Sequence, residues 1–363
     1  MPGPLTWQGE DFRRVRGPDG HIKEVTIDMN EILAKEYRGK TIENVHFGAI
    51  AVVDSKGKLI YSFGDPYFVT YLRSAAKPFQ AIPLLTSGVA EEFGLTTKEI
   101  AIVCGSHNGQ KKHTEVVKSI LKKIGLSEKH LQCGAHIPHY YTINNIPPPK
   151  GAKFRPIHNN CSGKHAGILA LSVYHGWNTK NYLSPKHPAE KIILDAVSEI
   201  CEYPKRKIGI GIDGCGVPVF AMPLYNMALG FSRLITHQGK DERISKAYEI
   251  ITSAMSRYPE MVSGFGRFDL ALAKVGKGNI LSKAGVALYC LGLFDRGWGL
   301  AAKVIDGARV AIGPTICESL RQLGVVKKAD MKRFGEYAFP VIRNHKGDKV
   351  GFIQPTFRLK RRK

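Results

Sequence analysis

Apolar residues run together or alternate at both ends of the chain and recur at helical spacing through its middle. FGAIAVVD, the polar turn SKGK and LIYSFG (residues 47–64) predict an antiparallel hairpin. Residues 1–40 have weak periodicity and read as an extension or first strand, with IDMNEILAKEY (27–37) as a short helix. Past residue 70 the helical period takes over. Pro78 and Pro83 suit a helix first turn and a kink. Thr96 and Glu99 form a capping box ahead of an apolar run, and a helix over 110–124 stops at Gly125. In that helix Val117, Ile120, Leu121 and Ile124 share one face, with the lysines mostly opposite. Further helices are predicted over 162–175, 185–201, 219–235 and 241–257. Between 201 and 219, KIGIGIDGCGVP reads as a buried strand breaking into a glycine-rich turn. The last third returns to strands: NILSKAG, VALYCLGLF and GLAAKVID, then a helix over 307–324 and a hairpin FPVIRN–HKGD–KVGFIQPTF.

Strands from both ends with helices between predict one α+β unit over residues 41–357. Its antiparallel sheet comes from 41–80 and 276–357, and a mainly helical subdomain from 81–275. RLKRRK at 358–363 reads as a frayed basic tail.

Composition changes this picture little. At 43% hydrophobic residues the chain can bury a large core. A net charge of +22 raises nucleic-acid binding as an alternative, but the basic residues are spread along the chain and read as a solvated surface. The amino end lacks a signal peptide's apolar segment, and no apolar run reaches membrane-spanning length. Seven cysteines without framework spacing imply buried thiols in a reducing, cytoplasmic setting.

The candidate chemistry starts at Ser74-Ala-Ala-Lys77, a hydroxyl and an amine one helical turn apart where an extended run gives way to helix. Serine needs a base to attack a carbonyl, and a neutral lysine can serve. Two further Ser-x-x-Lys runs, Ser55–Lys58 and Ser119–Lys122, lie in a polar turn and on a lysine-rich helix and read as solvated. Ser106-His107-Asn108 and the strand-borne Lys283-Ala-Gly285 follow in the order of the S-x-x-K, S-D-N and K-T-G runs of penicillin-recognising serine enzymes. A lysine at its ordinary pKa of about 10.4 cannot act as a base near neutrality; burial and a second ammonium both lower it. Lys283 is suited to be that second charge, and Ser106 to relay a proton. Asp213, in the glycine-rich turn, can pair with an α-ammonium and Arg73 with an α-carboxylate. Cys161-x-x-Lys164 with a distant Cys215 is by spacing alone a set of buried thiols rather than a zinc signature.

RSAAKP, HNNCSGKHAG, GIDGCGVPVFAMPL and PEMVSGFGRFD, in this order across residues 42–357, resemble the L-asparaginase II family. The resemblance implies a serine β-lactamase-like fold, a homodimer, and hydrolysis of L-asparagine to L-aspartate and ammonia. By the same resemblance Ser74–Lys77 and Ser106–Lys283 are two Ser–Lys tandems, with Ser74 favoured as the nucleophile. Cys161, Lys164 and Cys215 match zinc-binding positions, and His165 and Asp213 match substrate-holding ones. The chain departs from the family pattern at Leu72, Asn108 and Phe265; the last two bear on pocket shape and hence on asparagine against glutamine. Cys104, Cys133, Cys201, Cys290 and Cys317 are left as core thiols. The alternatives are a related Ser–Lys hydrolase of glutamine, a β-lactam or an ester, and a non-catalytic basic binding protein.

Overall fold

The computed structural model describes residues 31–362, together with the backbone of 14–16 and 22–24. The strands, in order, are β1 Arg14–Arg16, β2 Ile22–Glu24, β3 Ile32–Arg38, β4 Thr41–Asp54, β5 Leu59–Phe63, β6 Val69–Tyr71, β7 Gly209–Ile212, β8 Pro218–Pro223, β9 Ile280–Ala284, β10 Leu288–Leu293, β11 Trp298–Val304, β12 Val341–Arg343, β13 Lys349–Pro355 and β14 Lys360–Arg361. β1 and β2 pair only with each other. The main sheet runs β12-β13-β3-β4-β11-β10-β9, with β5 paired to β4 and β14 to β5. It is antiparallel throughout and drawn from both ends of the chain, as the strand pattern predicted.

The strand period sorts residues to the two faces of this sheet. On β4, Ala49, Ala51 and Val53 join the core beneath the helical subdomain, while Ile50 and Val52 join the core on the other face. That second core is closed by the helices Phe268–Gly276 and Arg309–Gln322. The helical side has the periodicity its sequence demands. In Lys111–Lys123 the side chains of Val117, Ile120 and Leu121 are fully buried, each contributing about 1.5–3 kcal/mol. Thr96 and Glu99 make both hydrogen bonds of the capping box.

Four expectations are corrected. The described part of IDMNEILAKEY is strand β3, not helix, because β4 and β13 flank it and pair with it; 27–30 lie outside the described residues. The stretch 219–235 opens as strand β8 before its helix begins at Leu224, completing a small β6-β8-β7 sheet inside the helical half. β7 is an edge of that sheet, so Ile210 and Ile212 are exposed rather than buried. The basic tail is not frayed: Lys360 and Arg361 pair with β5 while Leu359 is buried.

Candidate active site

Lys283 reaches the interface of sheet and helices because of its register. It pairs across strands with Cys290, Cys290 with Ala301, and Ala301 with Ala51. Cross-strand partners share a face, and Cys290, Ala301 and Ala51 all belong to the core under the helical subdomain. From the helical side, the Thr97–Val103 helix ends at Cys104 and the chain turns out through Gly105 to Ser106. Gly105 is required there, since a Cβ would lie 2.6 Å from Met261 O. Ser106 is anchored by its backbone N–H, which donates to Val262 O at 2.7 Å.

Two lysines meet at this serine. Lys77 Nζ lies 2.9 Å and Lys283 Nζ 3.0 Å from Ser106 Oγ, and all three side chains are buried. Lys77 Nζ also donates to Gly105 O at 2.7 Å and Asn160 O at 3.3 Å. A carbonyl only accepts, so of these three partners only the Ser106 hydroxyl can also exchange a proton with Lys77, and none of the hydrogen bonds of Lys77 Nζ goes to Ser74 Oγ. Burial lowers the pKa of Lys77, helped by Lys164 and opposed by Cys161 and Cys215. Burial also brings Lys283 down to about 7, with Asp269 opposing and Lys77 and Arg267 assisting.

Ser74 lies in the tight helical turn Arg73–Ala76 that leads into the Lys77–Gln80 helix, rather than at that helix's first residue. The turn packs against β8, β9 and β10. A Cβ on Gly285 would come within 3.0 Å of Leu72 O, so the Lys283-Ala-Gly285 strand end abuts the Ser74 segment. Arg73, just before the serine, has a left-handed backbone (φ 52°), a conformation costing about 1–3 kcal/mol that the surroundings must enforce. Among the described residues Ser74 Oγ makes no hydrogen bond to protein and is half-buried, which leaves the hydroxyl free for a ligand. Arg73 reaches Asp213 at 2.9 Å, so the two residues expected at opposite charges of an amino acid are adjacent.

The second cluster abuts the first. Cys161 Sγ, Cys215 Sγ and an Asp213 carboxylate oxygen lie within 4.8 Å of one another, and Lys164 Nζ is 3.1 Å from Cys215 Sγ. A hydrogen bond from Cys215 holds Cys161 well below the ordinary thiol range against the effect of burial, with Lys77 and Lys164 adding to it. Burial works against charge on Lys164, but the two sulfurs and Asp213 outweigh it and raise its pKa. Two thiol sulfurs, an amine and a carboxylate converging on one point fit a zinc ion's preference for S and N donors. Asp213 was not expected among such ligands.

His165 is fully buried; its Nδ1 shares a hydrogen bond of 2.9 Å with Tyr182 OH, which accepts from Gln132 N–H, and its Nε2 has no partner among the described residues. No hydrogen bond among the described residues ties it to Ser74, Ser106 or Asp213. His107 is a brace: Gly109 N–H donates to its Nδ1, and its Nε2 meets Ser162 Oγ, which itself donates to Ile157 O. Gly105 O, Asn160 O and Asp269 were missed as site groups. Backbone carbonyls leave no mark in sequence, whereas Asp269 stood within the quoted GFGRFD run. An open cavity of about 610 Å³, lined in part by Lys277, Asn279, Asp295 and Lys327, shares no residue with this cluster.

A family model described as L-asparaginase II matches residues 34–355, nearly the whole chain. No curated protein matches. Two solved structures align at low likeness. One is described as a β-lactamase from Mycobacterium bovis, with 11% identity, TM-score 0.33, and coverage of 71% of this chain and 86% of that one. The other is a β-lactamase candidate from Bacteroides dorei DSM 17855, with 12% identity, TM-score 0.38, and coverage of 80% of this chain and 94% of that one.

Proposed function

Since the chain belongs to the L-asparaginase II family, we propose that it hydrolyses L-asparagine to L-aspartate and ammonia by acyl transfer through Ser74. The observation that carries this reading is the buried Lys77–Ser106–Lys283 relay, whose Lys77 begins the helix that follows the Ser74 turn, together with a Ser74 hydroxyl that makes no hydrogen bond among the described residues. Ser74 Oγ attacks the side-chain carbonyl carbon as its proton passes to neutral Lys77 Nζ. The proton then travels through Ser106 to the amide nitrogen, the C–N bond breaks, and ammonia leaves an ester on Ser74. Water repeats the sequence on the ester, freeing aspartate and returning the proton to Ser74. Lys283, on the far side of Ser106, keeps that hydroxyl oriented and assists the removal of charge from Lys77.

The adjacent Arg73 and Asp213 suit the α-carboxylate and α-ammonium of an amino acid. Cys161, Lys164 and Cys215, with Asp213 beside them, would hold zinc. When bound, the ion supplies a fixed positive charge that orders this corner of the pocket. A homodimer belongs to the same reading, with exposed Tyr71, Ile210 and Ile212 of the small sheet as apolar surface for it, and light scattering tests it. Seven free, buried thiols suit a reducing, cytoplasmic setting; no helix among the described residues is long and apolar enough to cross a membrane.

The test is ammonia release from asparagine and from glutamine, with mass spectrometry of the quenched enzyme. An aspartyl ester on the peptide containing Ser74 is expected. Release from glutamine alone would turn the reading to the related amidase, and an ester on Ser106 would exchange the roles of the two serines.

A further inference from the structure

We infer that Asp269 is a positioning residue for Lys283, fixing the strand that carries the amine and presenting it with a negative charge from behind. The inference rests on the reading in which Lys283 belongs to the proton relay. Asp269 is buried in the first turn of the Phe268–Gly276 helix. Its Oδ1 accepts from Ala284 N–H at 3.1 Å and from Ser282 Oγ at 3.3 Å, and its Oδ2 from Tyr289 OH at 3.4 Å. Ser282 and Ala284 flank Lys283. β9 is the last strand of its sheet, so its outward N–H groups have no further strand to pair with, and Asp269 supplies the acceptor that a buried N–H needs.

Lys283 projects to one face of the sheet, and the helix carrying Asp269 packs on the other. An asparagine could accept the same N–H and hydroxyl bonds. What only a carboxylate adds is charge. The titratable groups around Lys283 are Lys77, Arg267, Asp269, Cys161 and Cys104, with Cys290 its cross-strand partner. Tyr289 and Tyr337 face Asp269 itself. Burial, Lys77 and Arg267 drive the proton off Lys283; Asp269 is the largest opposing influence and keeps its titration near neutrality, at about 7. Without that charge the amine would give up its proton at lower pH and stay neutral over more of the range in which Ser106 exchanges one.

The test is the pH titration of the Lys283 ε-carbon by NMR, assigned with Lys283→Met, in wild type, Asp269→Asn and Asp269→Glu. Asp269→Asn is expected to titrate about one pH unit lower, and the acidic limb of kcat/KM to move down with it. Asp269→Glu, the poorer fit but still charged, is expected to stay nearer wild type. A purely structural role predicts the reverse order, with the closer isostere Asn behaving like wild type; that result overturns the inference, as does Asp269→Glu titrating as low as Asn. The NMR readout needs no turnover. A shifted titration in a protein that releases no ammonia therefore sinks the asparaginase reading alone, and an unshifted one in an active enzyme sinks this inference alone.

Discussion

Lys77 and Lys283 approach one oxygen, Ser106 Oγ, at 2.9 and 3.0 Å, although 206 positions separate them and one comes from a helix, the other from a sheet. Two ammonium ions facing each other across a single buried hydroxyl repel strongly, and neither has water to share the charge. The arrangement therefore favours at least one neutral amine near neutral pH, which is what a lysine base requires.

Activity is accordingly expected to rise with pH as Lys77, whose pKa burial lowers, gives up its proton. The sign follows from the chemistry: an amine whose pKa is lowered is neutral above that value and blocked by a proton below it. The measurement is kcat/KM for ammonia release from pH 5 to 9, for which general base catalysis of this kind is worth about 10²–10⁴-fold. Lys77→Arg, permanently charged, should lose at least that much at every pH. A flat profile, or an active Arg variant, would remove the lysines from the reaction.

Ser74 and Ser106 should fail differently. Ser74→Ala removes the attacking atom, so both turnover and the covalent ester should vanish, with a loss on the order of 10⁴-fold or more. Ser106→Ala leaves the nucleophile but cuts the path between the two amines, so a loss of about 10²–10⁴-fold is expected with the ester still detectable in single-turnover experiments. Wild-type rates in Ser74→Ala would sink the assignment.

Most of the architecture could be read from periodicity, because strands and helices with one buried face must repeat at their own spacing. Val117, Ile120 and Leu121 face the core for that reason. β3 escaped because a short amphipathic segment takes the form its neighbours impose, and here those are β4 and β13. The pairing of Ser106 with Lys283 was legible only as motif order and family resemblance. That Lys77 takes Ser106 Oγ, while Ser74 Oγ keeps no partner among the described residues, follows from how the Arg73–Ala76 turn meets β9, and no local pattern encodes it. Asp213 illustrates the same limit. Its place among sulfurs as well as beside Arg73 depends on the turn after β7 meeting both Arg73 and Cys161 in the fold.

The thiol cluster should bind zinc at about one ion per chain in protein purified without a metal-binding tag. Cys161→Ala and Cys215→Ala should each lose it, by elemental analysis. Because two thiols and the Lys164 ammonium must give up protons to become ligands, affinity should fall as pH falls. Removal of the ion with a chelator should lower the melting temperature of wild type and leave both Cys variants unchanged. Metal retained in Cys161→Ala would place the site elsewhere.

Glu190 offers a prediction about stability rather than turnover. Among the described residues neither carboxylate oxygen has a partner, the side chain is only 2% exposed, and burial raises its pKa to about 8 from an ordinary 4.5. An acid with a raised pKa holds its proton in the folded state and releases it in the unfolded one. Folding is therefore favoured below the unfolded value and loses stability as pH climbs from 4.5 to about 8. At 1.36 kcal/mol per unit the loss approaches roughly 3–5 kcal/mol at the top of that window, as an upper bound. Glu190→Gln keeps the shape and the pH-independent cost of a buried polar group, but has no proton to lose. Urea unfolding of the two proteins should therefore show curves that diverge steadily from pH 5 to 8, with the variant ahead at the alkaline end. Parallel curves across that range would mean that the Glu190 carboxylate finds hydration or a partner that its burial does not suggest.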